Sequence, residues 1–214
     1  MGLFYKVYYS LLLLGCLLGA YLVVKKDKRF LAITMLLAIS LGVEICAHIL
    51  IRSKKGFVWI YHLYTPVNYG LFAYYFSQYL ANRVIKKLVL WSILAFGIIS
   101  YTLSITLYHF KDFPGVCITI NGLFLTVICV YYLLTAEINI NLSYFKNPNI
   151  WIAIGVLVFF GGTAFYNGVY TKMMQLNRER ALELFGIINK PLIIFLYSCI
   201  NIGLICRLVI KKFI

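Results

Sequence analysis

The chain has 214 residues, of which 63% are hydrophobic and only 12% charged, and its formal net charge is +14. Soluble domains run at about 45–50% apolar and about 25% charged residues, so this composition excludes an ordinary soluble fold and points to a membrane protein. The basic residues sit at the ends of apolar stretches rather than on one polar face, which makes the charge a topology signal and argues against a nucleic-acid partner.

A bilayer core of about 30 Å needs about 20 apolar helical residues to cross it. Seven stretches qualify, at approximately 7–24, 30–51, 57–80, 88–108, 116–134, 150–170 and 187–210. The expected fold is an all-α, polytopic bundle of seven transmembrane helices, one domain over 1–214 with no soluble module. In the first stretch, Leu13-Leu14-Gly15-Cys16 loosely resembles a lipoprotein cleavage box. The apolar run continues past Cys16, and the charge cluster Lys25, Lys26, Lys28 and Arg29 follows it, the arrangement of an uncleaved anchor.

The second stretch places Ser40, Glu44 and His48 on one helical face. An ionisable group at the centre of a membrane helix costs about 2.5–3.5 kcal/mol, so Glu44 must be compensated or used. In the third, His62, Thr65 and Tyr69 form a stripe with Asn68 at its edge, and Pro66 removes one backbone hydrogen bond, which predicts a kink. His109 falls just past the fourth stretch, and the fifth carries Asn121. The sixth contains Asn167 and the small residues Gly161, Gly162, Ala164 and Gly168, suited to close helix approach. Segment 172–188 mixes charged and apolar residues at helical spacing and is expected to lie in the interface as a lid stopped by Pro191. Lys190, Tyr197 and Asn201 share a face of the seventh. All six cysteines fall inside the stretches without a Cys-x-x-Cys pair, which indicates packing residues rather than a disulfide framework or thiolate metal site.

Counting Lys and Arg on alternate connections, with Lys190 and Arg207 set aside, gives ten on one side and eight on the other. The ten follow the first, third, fifth and seventh stretches, which predicts an N-terminus outside and a cytoplasmic C-terminus in an inner (plasma) membrane. The sequon at Asn141 and Ser143 then falls on the cytoplasmic side and is not expected to be glycosylated. At 1.5 Å per residue, Glu44 lies about 10 Å, His62 about 8 Å and His48 about 5 Å below the outer boundary. Asn121, Asn167 and Lys190 reach the same layer.

The candidate ligand-binding residues are therefore Glu44, His48, His62, Thr65, Asn68, Tyr69, Asn121, Asn167, Lys190 and Tyr197. Glu44 is expected to find its partner among His48, His62 and Lys190. The expected function is a non-enzymatic receptor, sensor or partner-binding module with a polar pocket in the outer half of the bilayer. Its partners would be the lipid bilayer and a membrane protein or small ligand, with no cofactor. Two alternatives remain. Glu44, His48 and His62 are ligand types that zinc accepts, which would make a zinc-dependent intramembrane lipid hydrolase, and Glu44 could serve a small-solute or proton-coupled transporter.

Two resemblances bear on these alternatives. Ser40, Glu44 and His48 resemble one helix of the ceramidase and adiponectin-receptor group of intramembrane zinc hydrolases. That group also carries a His-x-x-x-His pair in its last helix and an acid near the third, and neither stands here. The stretch YHLYTPVNYGLFAYYF, with His62, Tyr64, Thr65, Pro66 and Tyr69, is similar to small polytopic proteins of bacterial inner membranes with a His-x-Tyr-Thr-Pro third helix. Asn68 stands where that pattern tends to have glutamate. This second resemblance implies a seven-helix inner-membrane protein and supplies no activity.

Overall fold

The structure is a computed structural model that describes residues 3–53, 56–136 and 146–213. Among these it is all-helical, with seven long helices: α1 (Leu3–Val24), α2 (Leu31–Arg52), α3 (Trp59–Ser77), α4 (Arg83–Thr106), α5 (Gly115–Thr135), α6 (Pro148–Leu176) and α7 (Arg178–Phe213). Lys54, Lys55 and the sequon at Asn141 and Ser143 lie outside the described residues. Five helices, α1, α2, α4, α5 and α7, are long and apolar enough to cross a membrane, and α6 contributes the shorter apolar stretch Pro148–Ala164. The helix α3 is absent from that set because it carries Tyr61, His62, Tyr64, Thr65 and Asn68. Its tolerance of polar groups follows from its place: α2, α4 and α5 pack around it. A helix sheltered by protein needs no continuous lipid-facing apolar surface.

Neighbouring helices run antiparallel where short connections force them to. Gly19 of α1 lies against Thr34 of α2, and Ser40 of α2 bonds Tyr64 of α3 at 2.7 Å. Tyr69 of α3 bonds Ser92 of α4 at 2.6 Å, while Thr119 of α5 donates to the Ala164 carbonyl of α6 at 3.1 Å. Contacts α1–α2, α2–α3, α3–α5, α5–α6, α6–α7 and α7–α1 close a ring, with α4 set against the outside of α3. The circuit closes because α1 and α7 run parallel: Tyr8 packs on Tyr197, Asn201 donates to the Leu11 carbonyl at 3.0 Å, and Asp27 meets Arg207. Tyr69, Phe72, Phe76, Leu125 and Ile200 fill the centre.

The tightest seam is between α6 and α7. A Cβ on Gly155 would stand 2.7 Å from the Cys199 Cβ, and one on Gly203 would stand 2.6 Å from the Pro148 carbonyl oxygen. Gly162 meets Leu192 of α7, whereas Gly161 and Ala164 face α5 near Thr126 and Gly122, so the small residues of α6 serve two neighbours. All six cysteines are free thiols.

The expected interfacial lid does not form a separate element. Asn177 alone separates α6 from α7, and α7 runs through Pro191 rather than ending at it. Residues of this segment instead extend the two helices into a hairpin with its own small core, in which Tyr166, Tyr170 and Ala181 pack with Phe113, Met173 and Phe185. The Tyr166 hydroxyl donates to the Ala181 carbonyl. The helix α3 likewise continues unbroken through Pro66, and the Thr65 hydroxyl donates to the Tyr61 carbonyl at 2.7 Å in the turn before it.

Candidate functional site

Glu44 lies half-buried on α2 at the level where α1, α3 and α7 present tyrosines. Its carboxyl group is within hydrogen-bonding reach of the Tyr8 hydroxyl. Tyr9, Tyr61, Tyr64 and Tyr197 stand close enough for their phenols to interact with it electrostatically. The hydroxyl of Tyr8 also reaches that of Tyr197, which in turn reaches Tyr64 and Ser40. From there the bonding is direct. Ser40 and Tyr64 share a bond of 2.7 Å, and Asn68 donates its Nδ2 to the Tyr64 hydroxyl at 2.9 Å. Asn121 donates its Nδ2 to the Asn68 Oδ1 at 3.4 Å.

A polar layer thus extends from Glu44 across α1, α7 and α3, and within it a hydrogen-bonded run from Ser40 through Tyr64 and Asn68 reaches Asn121 on α5. Four of its members, Glu44, Asn68, Asn121 and Tyr197, belong to the candidate set. Its far end is incomplete, because the buried Oδ1 of Asn121 has no hydrogen-bond partner. An enclosed acceptor of this kind costs about 1–3 kcal/mol. Sequence reasoning passed over Tyr8, Tyr9, Tyr61 and Tyr64 as ligand candidates, since a tyrosine in an apolar helix reads as packing. The signal that could have found Tyr8 is its depth, which matches that of Glu44 once α1 and α2 are set antiparallel.

The other candidates go elsewhere. His62 is 3% exposed and fully engaged, its Nδ1 with the Ser104 hydroxyl at 2.8 Å and its Nε2 donating to the Asp112 carbonyl at 2.9 Å. It fastens the α4–α5 connection to α3, with Tyr108 and Phe110 rings at 5.7 and 5.2 Å. That connection carries two consecutive left-handed residues, His109 and Phe110, at φ 47° and 58°. Such geometry is uncommon without glycine and persists where the surroundings hold it. Thr65 bonds its own helix, and Tyr69 turns to Ser92 of α4. Lys190 is exposed with its Nζ 5.6 Å above the Phe4 ring, and no ion pair joins it to Glu44. His48 is half-buried and Asn167 buried. The expected pairing of Glu44 with His48, His62 or Lys190 is not among the hydrogen bonds and ion pairs of the described residues, and the polar group nearest in effect to its carboxyl is the Tyr8 hydroxyl.

With both nitrogens of His62 committed, Glu44, His48 and His62 do not assemble. Among the described residues no group of three His, Cys, Asp or Glu side chains comes together to hold a metal. No family model, curated protein or solved structure matches the chain.

Proposed function

We propose that this chain is a multi-pass membrane receptor or sensor whose responsive element is the Glu44 layer. The observation that carries the reading is a carboxylate in a helix interior at the level of phenolic groups from three other helices, beside a hydrogen-bonded run from Ser40 through Tyr64 and Asn68 to Asn121 on α5. An oxygen-rich set with a single negative group suits a proton or a small cation. Neutralising Glu44 would change the bonding of Tyr8 and Tyr197, and so the contact of α1 with α7. A ligand that binds one arrangement better than the other shifts the population between them.

In the same proposal all seven helices span a bacterial inner membrane, with the N-terminus outside and the C-terminus cytoplasmic. Restoring the two residues set aside in the charge count leaves the margin unchanged, since Arg207 joins the end that holds Asp27 and Lys190 joins the other. The Glu44 layer then lies toward the outside. Difference infrared spectroscopy of the reconstituted protein tests the reading. A carboxyl band should respond to pH or to sodium in the wild type and disappear in Glu44→Gln. A spectrum without any such response refutes a sensing role for the layer, and net sodium or proton flux into vesicles would move transport ahead of sensing.

A further inference from the structure

At the opposite end of the bundle, a pocket of about 50 Å³ opens between the α1–α2 connection, the end of α3, the start of α6 and α7. We propose that it binds a phosphate group, and this proposal is independent of the role assigned to Glu44. The turn that ends α1 builds one wall. Lys26 takes a left-handed conformation at φ 64°, with its N–H bonded to the Val23 carbonyl and the Asp27 N–H bonded to the Leu22 carbonyl. This helix-terminating turn carries the chain back so that Asp27, 7% exposed, meets Arg207 of α7.

Three side chains supply the recognition. Arg207 donates its Nε to the Asp27 Oδ2 at 2.7 Å, a one-point bond that leaves the two terminal nitrogens of its guanidinium for another acceptor. Arg29 lines the same pocket from the short 3-10 turn Lys28–Phe30. Two guanidinium groups against one carboxylate leave the lining net positive, and the planar fork of arginine matches two oxygens of a phosphate. The third is Asn149, which is 7% exposed. Its Oδ1 accepts from the Tyr75 hydroxyl at 2.6 Å, which fixes the amide so that Nδ2 serves as a donor at the pocket wall.

Two further features favour an anion. Pro148 begins α6 at the pocket, so the positive end of a 29-residue helix dipole faces it. The first N–H of that turn is already taken, with Asn149 N bonded to the Asn147 Oδ1 at 3.0 Å, so recognition rests on the side chains. Lys25, Lys26, Lys28, Arg83, Lys86, Lys87 and Lys146 are exposed on segments that end at the same side of the bundle. A basic rim at the ends of membrane helices attracts anionic headgroups. The phosphate can come from a phospholipid headgroup or from free phosphate, since the donors read the group that both share.

The test uses the full chain in a non-ionic detergent, with thermal stabilisation and native mass spectrometry as readouts. Inorganic phosphate, short-chain phosphatidylglycerol and short-chain phosphatidylcholine are titrated separately. Saturable binding of one equivalent is expected, weakened about tenfold or more by Arg29→Gln and by Asn149→Asp. Asn149→Asp keeps the acceptor for Tyr75 while replacing the Nδ2 donor by an oxygen, and Arg29 is exposed, so neither change removes a core contact. The control variant Lys111→Gln, exposed at the other end of the bundle, should bind as the wild type does. Saturation by inorganic phosphate alone assigns a soluble source, and preference for phosphatidylglycerol over both other probes assigns a headgroup. Failure of all three probes to saturate overturns the proposal. So does binding that survives both pocket variants, or binding that Lys111→Gln weakens as much as Arg29→Gln does.

Discussion

Replacing Glu44 by leucine should destabilise the protein, whereas glutamine should be tolerated. The carboxyl group stands near the buried Tyr8 hydroxyl and other phenols, so leucine removes a polar neighbour of a largely enclosed hydroxyl. Orphaning one such group costs about 1–3 kcal/mol. Tyr8 retains Tyr197 as a partner, which places the expected loss in the lower half of that range. For a chain of this size each kcal/mol moves the unfolding midpoint by about 2–4 °C, so Glu44→Leu should lower it by roughly 2–8 °C. Glutamine keeps a polar terminus of the same length and should stay within about 1 kcal/mol of wild type. The opposite sign holds if Glu44 faces lipid, because leucine then removes an insertion cost of about 2.5–3.5 kcal/mol. Thermal unfolding in detergent, followed by intrinsic fluorescence, separates the cases. Tyr8→Phe adds a check, since the loss from Glu44→Leu should shrink when the hydroxyl it strands is already absent. A raised midpoint for Glu44→Leu would refute the tyrosine-flanked carboxylate and the sensing function built on it.

Reporter fusions after Lys87 and after Lys212 should both report the cytoplasm, and one between Arg52 and Gly56 the exterior; the reverse pattern inverts the proposed orientation. His62→Ala strands the Asp112 carbonyl, while the Ser104 hydroxyl keeps the Ser100 carbonyl, and should cost roughly 1–3 kcal/mol in a denaturation assay, part of which His62→Gln recovers. Gly155→Val drives a Cβ into the Cys199 Cβ and close to the Leu196 carbonyl, so its unfolding midpoint should fall by the equivalent of about 1–3 kcal/mol or more. Gly42→Ala serves as the contrast: no atom lies within 4 Å of the added Cβ, and the helix propensity of alanine should hold or raise stability by up to about 1 kcal/mol.

What the sequence determines by itself is the class of the protein and the location of its helices. Apolar runs of membrane length between basic clusters are a local property, and most of the sequence-derived bounds match the helices within a few residues. They fail at the start of α4 and at the α6–α7 junction. Arg83, Lys86 and Lys87 end an apolar run without ending a helix, because Asn82 caps α4 at the Val84 and Ile85 N–H groups. Charged residues between Lys172 and Glu183 read as a connection, yet helical hydrogen bonding and the small core around Ala181 carry both helices through them. Glu44 is legible as a site because a carboxylate in an apolar run is conspicuous and costly.

Its partners are decided only by the tertiary structure. A tyrosine belongs equally to a packed core, an interface and a hydrogen-bonded chain, and only the pairing of α1 with both α2 and α7 sets Tyr8 against Tyr197 at the level of the carboxyl group. The ring closure that places α1 beside α7 also joins Asp27 to Arg207 across 180 residues of chain, a pairing that no local pattern encodes. His62 shows the same limit from the other side. Its position on α3 places it at the depth of the Glu44 layer, but the last turn of α4 supplies Ser104 and the connection after it the Asp112 carbonyl first, and a ring with both nitrogens bonded has nothing left to offer Glu44.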